Sequence, residues 1–407
     1  GEEVLDEPRQ AAGLLGEQLR VVADHKYNKY EMYQPGRLFL ESLYPWLAQF
    51  EKSERADALE FVRSGLVFVS RDEFQQLAQI LYNDRIRVRQ LQVAATESGI
   101  APQRVRRIVA SGAFSSTARA SLYVGLSDGA RIDYVRRHNL EINNEQVLPH
   151  YTASKEKKDD CLSELRKELA VPGAKFRCLF LIDDFVGSGN TLLREVVDAQ
   201  MTSGAPPVAV PSNWQSRLEI KDLKIQLKYT GALSDGDVAA LKDLSTHEPY
   251  LTAIDELANR CSVRDTSLKG SLTKVAKDYS DLLEPTARVF ICPLLTTEYA
   301  IERLSPLISR LPGQFGRAEL LPAAMIRKVE QITDTTTAIG RLSDKYYDTA
   351  LEDRHTGDVK YGYDGCGLPL VLHHNTPNNS LYLLWARRSS NVSPLFVRHE
   401  RHGREVR

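Results

Sequence analysis

The chain has 407 residues, 42% of them hydrophobic and 26% charged, which is ordinary for a globular protein of two or three structural units. Its 53 basic and 54 acidic residues nearly cancel, so no global field favours nucleic acid or an anionic membrane. The longest apolar runs are too short to span a bilayer, and the first six residues lack the apolar stretch of a signal peptide. With five scattered cysteines and no CxxC pair, we expect a reduced, cytoplasmic setting and no membrane partner.

Residues 1–110 are predicted to form an N-terminal helical region. An amphipathic helix is indicated by apolar residues at three- and four-residue spacing, namely Phe39, Leu43, Trp46, Leu47 and Phe50. The pattern Ser70-Arg-Asp-Glu73 predicts a capping box at the start of a second helix.

From about residue 118 the pattern changes to strands alternating with helices. The predicted strands are 120–124, 176–182, 225–230 and 287–293, and the predicted helices are 130–137, 161–169, 191–201 and 298–309. This alternation predicts an α/β core at 111–310 with a parallel sheet, interrupted by a helical insertion near 232–284. Residues 311–407 are less regular and form a predicted C-terminal extension.

The segment from Asp183 to Thr191 follows the apolar run 178–182, which hardly alternates and therefore indicates a strand buried on both faces. The two aspartates leave this strand together, and carboxylates suit sugar hydroxyls. Gly187, Ser188 and Gly189 bring backbone amides close to a ligand, and a helix beginning at Thr191 favours an anion. The sequence therefore predicts a ligand that carries a vicinal diol and a phosphate. The alternative is a tight turn with two solvated acids; neither a Walker A loop nor GxGxxG is present.

The segment from Cys178 to Thr191 resembles the signature of type I phosphoribosyltransferases, which bind 5-phosphoribosyl 1-pyrophosphate (PRPP). The resemblance implies a parallel sheet flanked by helices, with a C-terminal hood that supplies acceptor contacts. It also implies that Asp183 and Asp184 hold the ribose hydroxyls. The 5′-phosphate would be held by the loop of Phe185, Val186, Gly187, Ser188, Gly189, Asn190 and Thr191. Phe185 departs from the smaller aliphatic residue usual there.

A second loop, from Gly125 to Arg131, follows the first core strand. In the same family this loop grips the pyrophosphate, which implies contacts from Ser127, Asp128, Gly129, Ala130 and Arg131. The resemblance also implies a Mg²⁺ ion, bound mainly by ligand phosphates and touched indirectly by Asp128 and Asp184. The alternative is an ordinary turn with an exposed Arg131.

The polar stretch 152–160 takes the place of the family's mobile loop, which closes over the reaction centre. The resemblance implies that Lys155 or Lys158, or Lys157 between them, meets the departing pyrophosphate together with Arg131. A charged surface loop is the alternative explanation of such a run.

Three segments, 125–130, 183–189 and 374–385, together resemble the PRTase-CE proteins of bacterial conflict and antiphage systems. The resemblance implies a phage-defence effector that works with protein partners, as a homo-oligomer or a complex. For the acceptor we single out Asn375, Asn378 and Asn379, whose amides suit a base edge, and Trp385, which suits ring stacking. The alternative is a structural turn with a core tryptophan.

A competing hypothesis is a regulator that senses PRPP or another nucleotide and binds nucleic acid through 93–108, which resembles a helix-turn-helix. Arginines near it could contact phosphates, namely Arg85, Arg87, Arg89, Arg104, Arg106 and Arg107. A helical hairpin with a solvated basic face is the favoured explanation of this segment. A structural partner with a degenerate site is a third hypothesis, against which the intact acidic pair argues.

Overall fold

The computed structural model describes residues 3–127, 129–137, 139–201, 218–221, 224–227, 261–348, 358–386 and 394–398. The chain divides into two compact units. The sheet unit comprises residues 75–328, and the terminal unit comprises 1–74 together with 329–407. This division differs from the predicted boundaries at 110 and 310, because the two ends of the chain fold together.

The described helices, apart from short turns, are α1 Glu3–His25, α2 Phe39–Ala48, α3 Arg55–Glu60, α4 Arg71–Ile80, α5 Arg87–Ser98, α6 Val105–Ala110, α7 Ala113–Arg119, α8 Ile132–Arg137, α9 Lys155–Leu169, α10 Ser271–Tyr279, α11 Glu298–Ile308, α12 Ala338–Lys345 and α13 Tyr382–Trp385. The strands are β1 Val67–Val69, β2 Ser121–Gly125, β3 Val147–Leu148, β4 Phe176–Val186, β5 Arg194–Met201, β6 Leu218–Lys221, β7 Lys224–Leu227, β8 Cys261–Lys269, β9 Leu283–Thr297, β10 Glu319–Leu320, β11 Ala324–Ile326 and β12 Leu370–Leu372. Within these described ranges, no helix is both long and apolar enough to cross a membrane.

The sheet unit is built on a six-stranded parallel sheet in the order β3-β2-β4-β9-β10, with β11 also paired to β9. On one face, Leu179 and Leu181 of β4 join a cluster that includes residues of α9, α10 and α11. On the other face, the Phe180 ring stacks between Tyr123 and Phe290, with centroids 5.3 and 4.9 Å away. Both faces are thus covered, which confirms the predicted doubly buried strand and the predicted class of fold.

The strand order places a topological switch at β2. The chain goes from β2 to β3 on one side of it, and later enters β4 on the other side. The chain therefore leaves the carboxyl ends of β2 and β4 in opposite directions. Open α/β sheets bind ligands between two such loops.

The predicted helix at 191–201 is wrong. Residues Arg194–Met201 form β5, which pairs antiparallel with β7 and β8 in a four-stranded sheet of order β6-β7-β5-β8. The β-branched pair Val196-Val197 suits such a strand. Pairing with β7 and β8 decides for a strand, although the local sequence pattern is also compatible with a helix. The helical insertion near 232–284 is also wrong in part, because Cys261–Lys269 forms β8 before helix α10. Its residues 232–260 lie outside the described part of the chain.

The terminal unit joins both ends of the chain around an aromatic core. The Trp46 indole N–H donates to the carbonyl of Leu383 at 2.7 Å, and strand β1 pairs in parallel with β12. The predicted helix around Phe39 is confirmed as α2. The predicted capping box is also confirmed: the Ser70 amide donates to Glu73 at 2.7 Å, and the Glu73 amide donates to Ser70 Oγ at 3.3 Å.

Candidate active site

The two loops singled out in the sequence meet at the switch point. The Leu126 amide donates to the Ile182 carbonyl at 2.8 Å, which extends the pairing of β2 with β4. One residue further along, Ser127 Oγ donates to Asp183 Oδ1 at 2.6 Å. Gly125 permits this path, because a Cβ there would lie 2.0 Å from the Pro149 carbonyl oxygen. Residues from the two separate loops therefore line one place.

The acidic pair lies at the end of β4. Asp183 is only 6% exposed, and its Oδ1 also accepts the Asp184 amide at 3.2 Å. Asp184 is less buried and accepts the Phe185 amide at 2.8 Å. Burial and the neighbouring Asp184 charge raise the pKa of Asp183 well above its ordinary value. Burial likewise raises the pKa of Asp184, against the opposing effects of the Phe185 amide and Arg131. Such a pair gains from hydroxyl donors or a cation that stabilise its charge.

The backbone of the β2 loop runs beside Asp184. A Cβ on Gly129 would lie 3.3 Å from Asp184 Oδ2, so glycine keeps this approach open. Arg131 follows with a φ of 49°, a left-handed conformation that is uncommon for a residue other than glycine. Asp128 lies outside the described residues, and its contact with Mg²⁺ stays a prediction.

A cleft of about 720 Å³ opens next to the acidic pair, a size common among ligand pockets. It is lined by Ser127, Gly129, Arg131, Ile132, Asp133, Arg136, Asn144, Val147, Pro149 and Lys157. Three cations and one carboxylate stand among these residues, which favours an anionic ligand. We call it the cation-lined cleft. Arg136 was missed in the sequence, although its place one turn into α8, just beyond the loop, was a usable signal.

The predicted mobile loop at 152–160 is wrong from residue 155 onward, because helix α9 begins there. Ser154 caps this helix by accepting the Lys157 amide at 3.3 Å. Lys157 lies 3.1 Å from Glu145 and lines the cation-lined cleft. Lys158 instead covers the Tyr279 ring at 4.7 Å, and Lys155 is exposed and does not line the cleft. The catalytic roles of Lys155 and Lys158 stay predictions.

The loop predicted to hold a phosphate is enclosed by the end of β9 and by α11. Thr297 Oγ1 donates to the Gly187 carbonyl at 2.6 Å. Arg303 donates both to the Ser188 carbonyl and to Asn190 Oδ1. The helix expected at Thr191 is absent from this described segment, so the loop receives no helix dipole there. Arg303 was missed in the sequence, since it lies more than a hundred residues from the loop.

The candidate acceptor residues lie in the terminal unit, where they hold a turn. Asn379 Nδ2 donates to the Tyr363 carbonyl at 2.9 Å, and Trp385 Nε1 donates to the Ser380 carbonyl at 2.9 Å. The Asn378 carbonyl accepts the Tyr363 amide, and the Asn375 amide donates to Leu372. These bonds account for the turn, and acceptor binding by these residues stays a prediction.

The basic segment forms a helical hairpin of α5 and α6, joined through Gly99 in a left-handed conformation. The three arginines that come first contact the sheet unit itself: Arg85 bonds the Pro322 carbonyl, Arg87 pairs with Glu141, and Arg89 pairs with Glu319. The other three are exposed around the six-residue helix α6: Arg104, Arg106 and Arg107. Binding of nucleic acid stays a prediction.

A parallel sheet that carries a carboxylate pair and a cation-lined cleft at its switch point defines an α/β protein with a candidate ligand site at the carboxyl edge of the sheet. The model of the PRTase-CE family matches residues 44–398 of the chain. The chain belongs to the PRTase-CE family, which confirms the resemblance seen in the sequence and indicates a phosphoribosyltransferase-like protein. Comparisons with curated proteins and with solved structures found no match.

Proposed function

We propose that the protein binds PRPP together with Mg²⁺ at the carboxyl ends of β2 and β4. The observation that carries this proposal is the hydrogen bond from Ser127 to Asp183, because it joins the cation-lined cleft to the acidic pair. PRPP carries a diol between a pyrophosphate and a 5′-phosphate. The ribose hydroxyls of PRPP would bond to Asp183 and Asp184, and its pyrophosphate would lie in the cleft. This arrangement matches the order of the groups along PRPP.

Each part of the ligand has candidate contacts. Ser127, Gly129 and Arg131, joined by Arg136 and Lys157, would hold the pyrophosphate. The backbone of the 187–191 loop would hold the 5′-phosphate.

A Mg²⁺ ion fits this site as a ligand-held cation. Within the described ranges, no cluster of three or more His, Cys, Asp or Glu could hold a metal by itself. Asp184 has a raised pKa, so a nearby divalent cation would favour its charged form. One carboxylate plus ligand phosphates is the arrangement that Mg²⁺ commonly adopts.

The reaction that we propose breaks the bond between C1 of the ribose and the pyrophosphate oxygen. That oxygen keeps the bonding electrons, and an acceptor nucleophile forms the new bond to C1. With water as the acceptor the products are ribose 5-phosphate and pyrophosphate. Arg131, Arg136 and Lys157 would stabilise the charge that grows on the departing pyrophosphate, and their fixed positions supply the orientation.

We further propose that the activity serves antiphage defence and involves protein partners, which rests on the family likeness of the chain. The test is phage plating on cells that carry the wild-type protein or a variant of the acidic pair. Equal protection by both would sink the proposed link between this site and defence.

The binding proposal is tested by replacing both members of the acidic pair with asparagine. Asp183→Asn with Asp184→Asn should abolish PRPP binding in calorimetry with Mg²⁺, while circular dichroism stays unchanged. The matched control changes another adjacent pair, the exposed Asp159 and Asp160 of α9, to asparagine. Retained affinity in the first variant contradicts the assignment of the diol contacts.

Pyrophosphate release separates an enzyme from a sensor. The protein is incubated with PRPP, Mg²⁺ and one class of acceptor at a time: water, nucleosides, nucleic acid and protein. Release that depends on Asp183 and Asp184 supports the transfer or cleavage proposed above. Binding without consumption under every acceptor would instead favour the regulator, with the exposed arginines of α6 as its candidate nucleic-acid contacts.

A further inference from the structure

Three consecutive carbonyl groups, at the last residue of β4 and in the loop after it, accept hydrogen bonds from the segment that joins β9 to α11. Thr296 Oγ1 donates to the Val186 carbonyl at 3.0 Å, and Thr297 Oγ1 donates to the Gly187 carbonyl at 2.6 Å. Arg303, on α11 just beyond, donates to the Ser188 carbonyl. The end of β9 and the first turns of α11 thus fix the orientation of three successive peptides.

The orientation of these carbonyls determines where the amides point. In a planar trans peptide, the carbonyl of one residue and the N–H of the next point in opposite directions. The N–H groups of Gly187, Ser188 and Gly189 are therefore directed away from the β9–α11 connection. Successive backbone N–H groups on one side of a turn form an anion-binding concavity.

Gly189 is needed for this geometry. Its φ is +75°, and a Cβ there would lie 2.7 Å from the Leu304 side chain on α11. Glycine therefore allows the loop to lie against α11 while its amides face the other way.

A charged hydrogen-bond donor, Arg303, lies behind this loop. Because strand β5 follows the loop instead of a helix, no helix dipole assists the amides from Thr191 onward. Arg303 lies behind the loop, where its guanidinium donates to the Ser188 carbonyl and to Asn190 Oδ1. A charged donor on a carbonyl also polarises the peptide, which strengthens its N–H as a donor.

We propose that Arg303 is a positioning residue that makes the amides of 187–189 a site for the phosphate monoester of the ligand. It acts through the loop, in place of the missing helix N-terminus. The proposal rests on the proposed function, since that function supplies the sugar phosphate.

The experiment measures two partial ligands against Arg303 variants by calorimetry. Ribose 5-phosphate carries the monoester without the pyrophosphate, and free pyrophosphate carries the reverse. Arg303→Met should weaken ribose 5-phosphate binding by about tenfold or more, as expected for losing charge-assisted contacts. Pyrophosphate affinity should stay within about twofold of the wild-type value, since it would bind the separate cation-lined cleft. Arg303→Lys keeps the charge but loses the planar fork, and should fall between.

The control is Arg310→Met, an exposed arginine just beyond the end of α11, which should bind both ligands like the wild type. Unchanged ribose 5-phosphate affinity in Arg303→Met overturns the inference, while the proposed function stands if the wild type binds PRPP. An equal loss for both ligands shows a merely structural role and also overturns it. If the wild-type protein binds neither PRPP nor ribose 5-phosphate, the proposed function and the inference fail together.

Discussion

Replacing Asp184 by asparagine should stabilise the sheet unit at neutral and alkaline pH. Burial raises the pKa of this carboxyl from 3.8 to about 6 in the folded protein. In the unfolded chain the carboxyl titrates at its ordinary value. As the pH rises between these two values, the unfolded state releases its proton while the folded state retains it. Folding therefore loses free energy across this window, and the loss is complete above about pH 6.

The size of the effect follows from the shift. A rise of about two pKa units corresponds to about 3 kcal/mol, and about half of it has developed by pH 5. In the wild type the Phe185 amide donates to Asp184 Oδ1 at 2.8 Å. Asparagine keeps an oxygen that can accept this bond, and it leaves no cavity. Its new amide N–H₂ needs an acceptor, for which the adjacent Asp183 is available. We expect a net gain in stability of about 2 kcal/mol at pH 8, and about half of that at pH 5.

Hydrogen exchange of the β4 peptides, followed by mass spectrometry, measures this gain locally. Comparing variant and wild type at the same pH cancels the intrinsic exchange rate. Tryptophan fluorescence is less suitable, because two of the three tryptophans, Trp46 and Trp385, lie in the terminal unit.

Slower exchange of β4 in the variant at pH 8, with a smaller difference at pH 5, is the expected result. Equal or faster exchange at pH 8, or a difference that does not change with pH, refutes the raised pKa of Asp184 in the free protein. The same variant should bind PRPP more weakly, since a carboxylate is lost. For the same reason, wild-type affinity should fall below about pH 6, where ligand binding must displace a proton.

Two further substitutions test the backbone approach at Gly125 and the hydrogen bond between Ser127 and Asp183. Gly125→Ala places a Cβ 2.0 Å from the Pro149 carbonyl oxygen, so it should destabilise the protein by about 3 kcal/mol and lower its Tm. The control is Gly173→Ala, which should be neutral because a Cβ there has nothing within 4 Å. Equal Tm values for the two variants contradict the close approach at Gly125. Ser127→Ala removes the hydroxyl donor from the buried Asp183 and should weaken PRPP binding about tenfold, with Ser127→Thr as the control that keeps the hydroxyl. Wild-type affinity of the alanine variant in calorimetry would show that this bond does not organise the site.

The central strand and its acidic pair could be predicted because their signals are local. A run buried on both faces shows as five consecutive apolar residues at 178–182, and Asp183 follows it directly. The meeting of Ser127 with Asp183 was also accessible, because the carboxyl ends of neighbouring parallel strands lie at one edge of a sheet.

Strand β5 could not be predicted in this way. Its segment contains Leu192, Leu193, Val196 and Val197, whose spacing suits one face of a helix as well as a strand. The choice depends on β8, where Arg194 pairs with Lys269 some seventy-five residues later. Pairing at that distance leaves no trace in a local window. The same holds for Trp46, whose partner Leu383 lies at the opposite end of the chain.

The start of α9 was a different kind of miss, because its signal was present. Ser154 is a favourable N-cap residue, and the residues after it are good helix formers, but their uniform polarity resembles a loop. The apolar side of this helix appears only with Cys161, Leu162 and Leu165, which are buried.

The cations of the cleft favour an anion site over an ordinary solvated surface. Arg131, Arg136 and Lys157 come from a loop, from α8 and from α9, so only the fold brings their charges together. The neighbours of these cations differ: Lys157 has Glu145, Arg131 acts on the charge of Asp184, and Arg136 contacts the neutral Asn144 amide. Like charges gathered around a concave space repel one another and lower stability unless a ligand neutralises them. A pyrophosphate would do so, which is the physical reason to place the leaving group of the proposed reaction in this cleft.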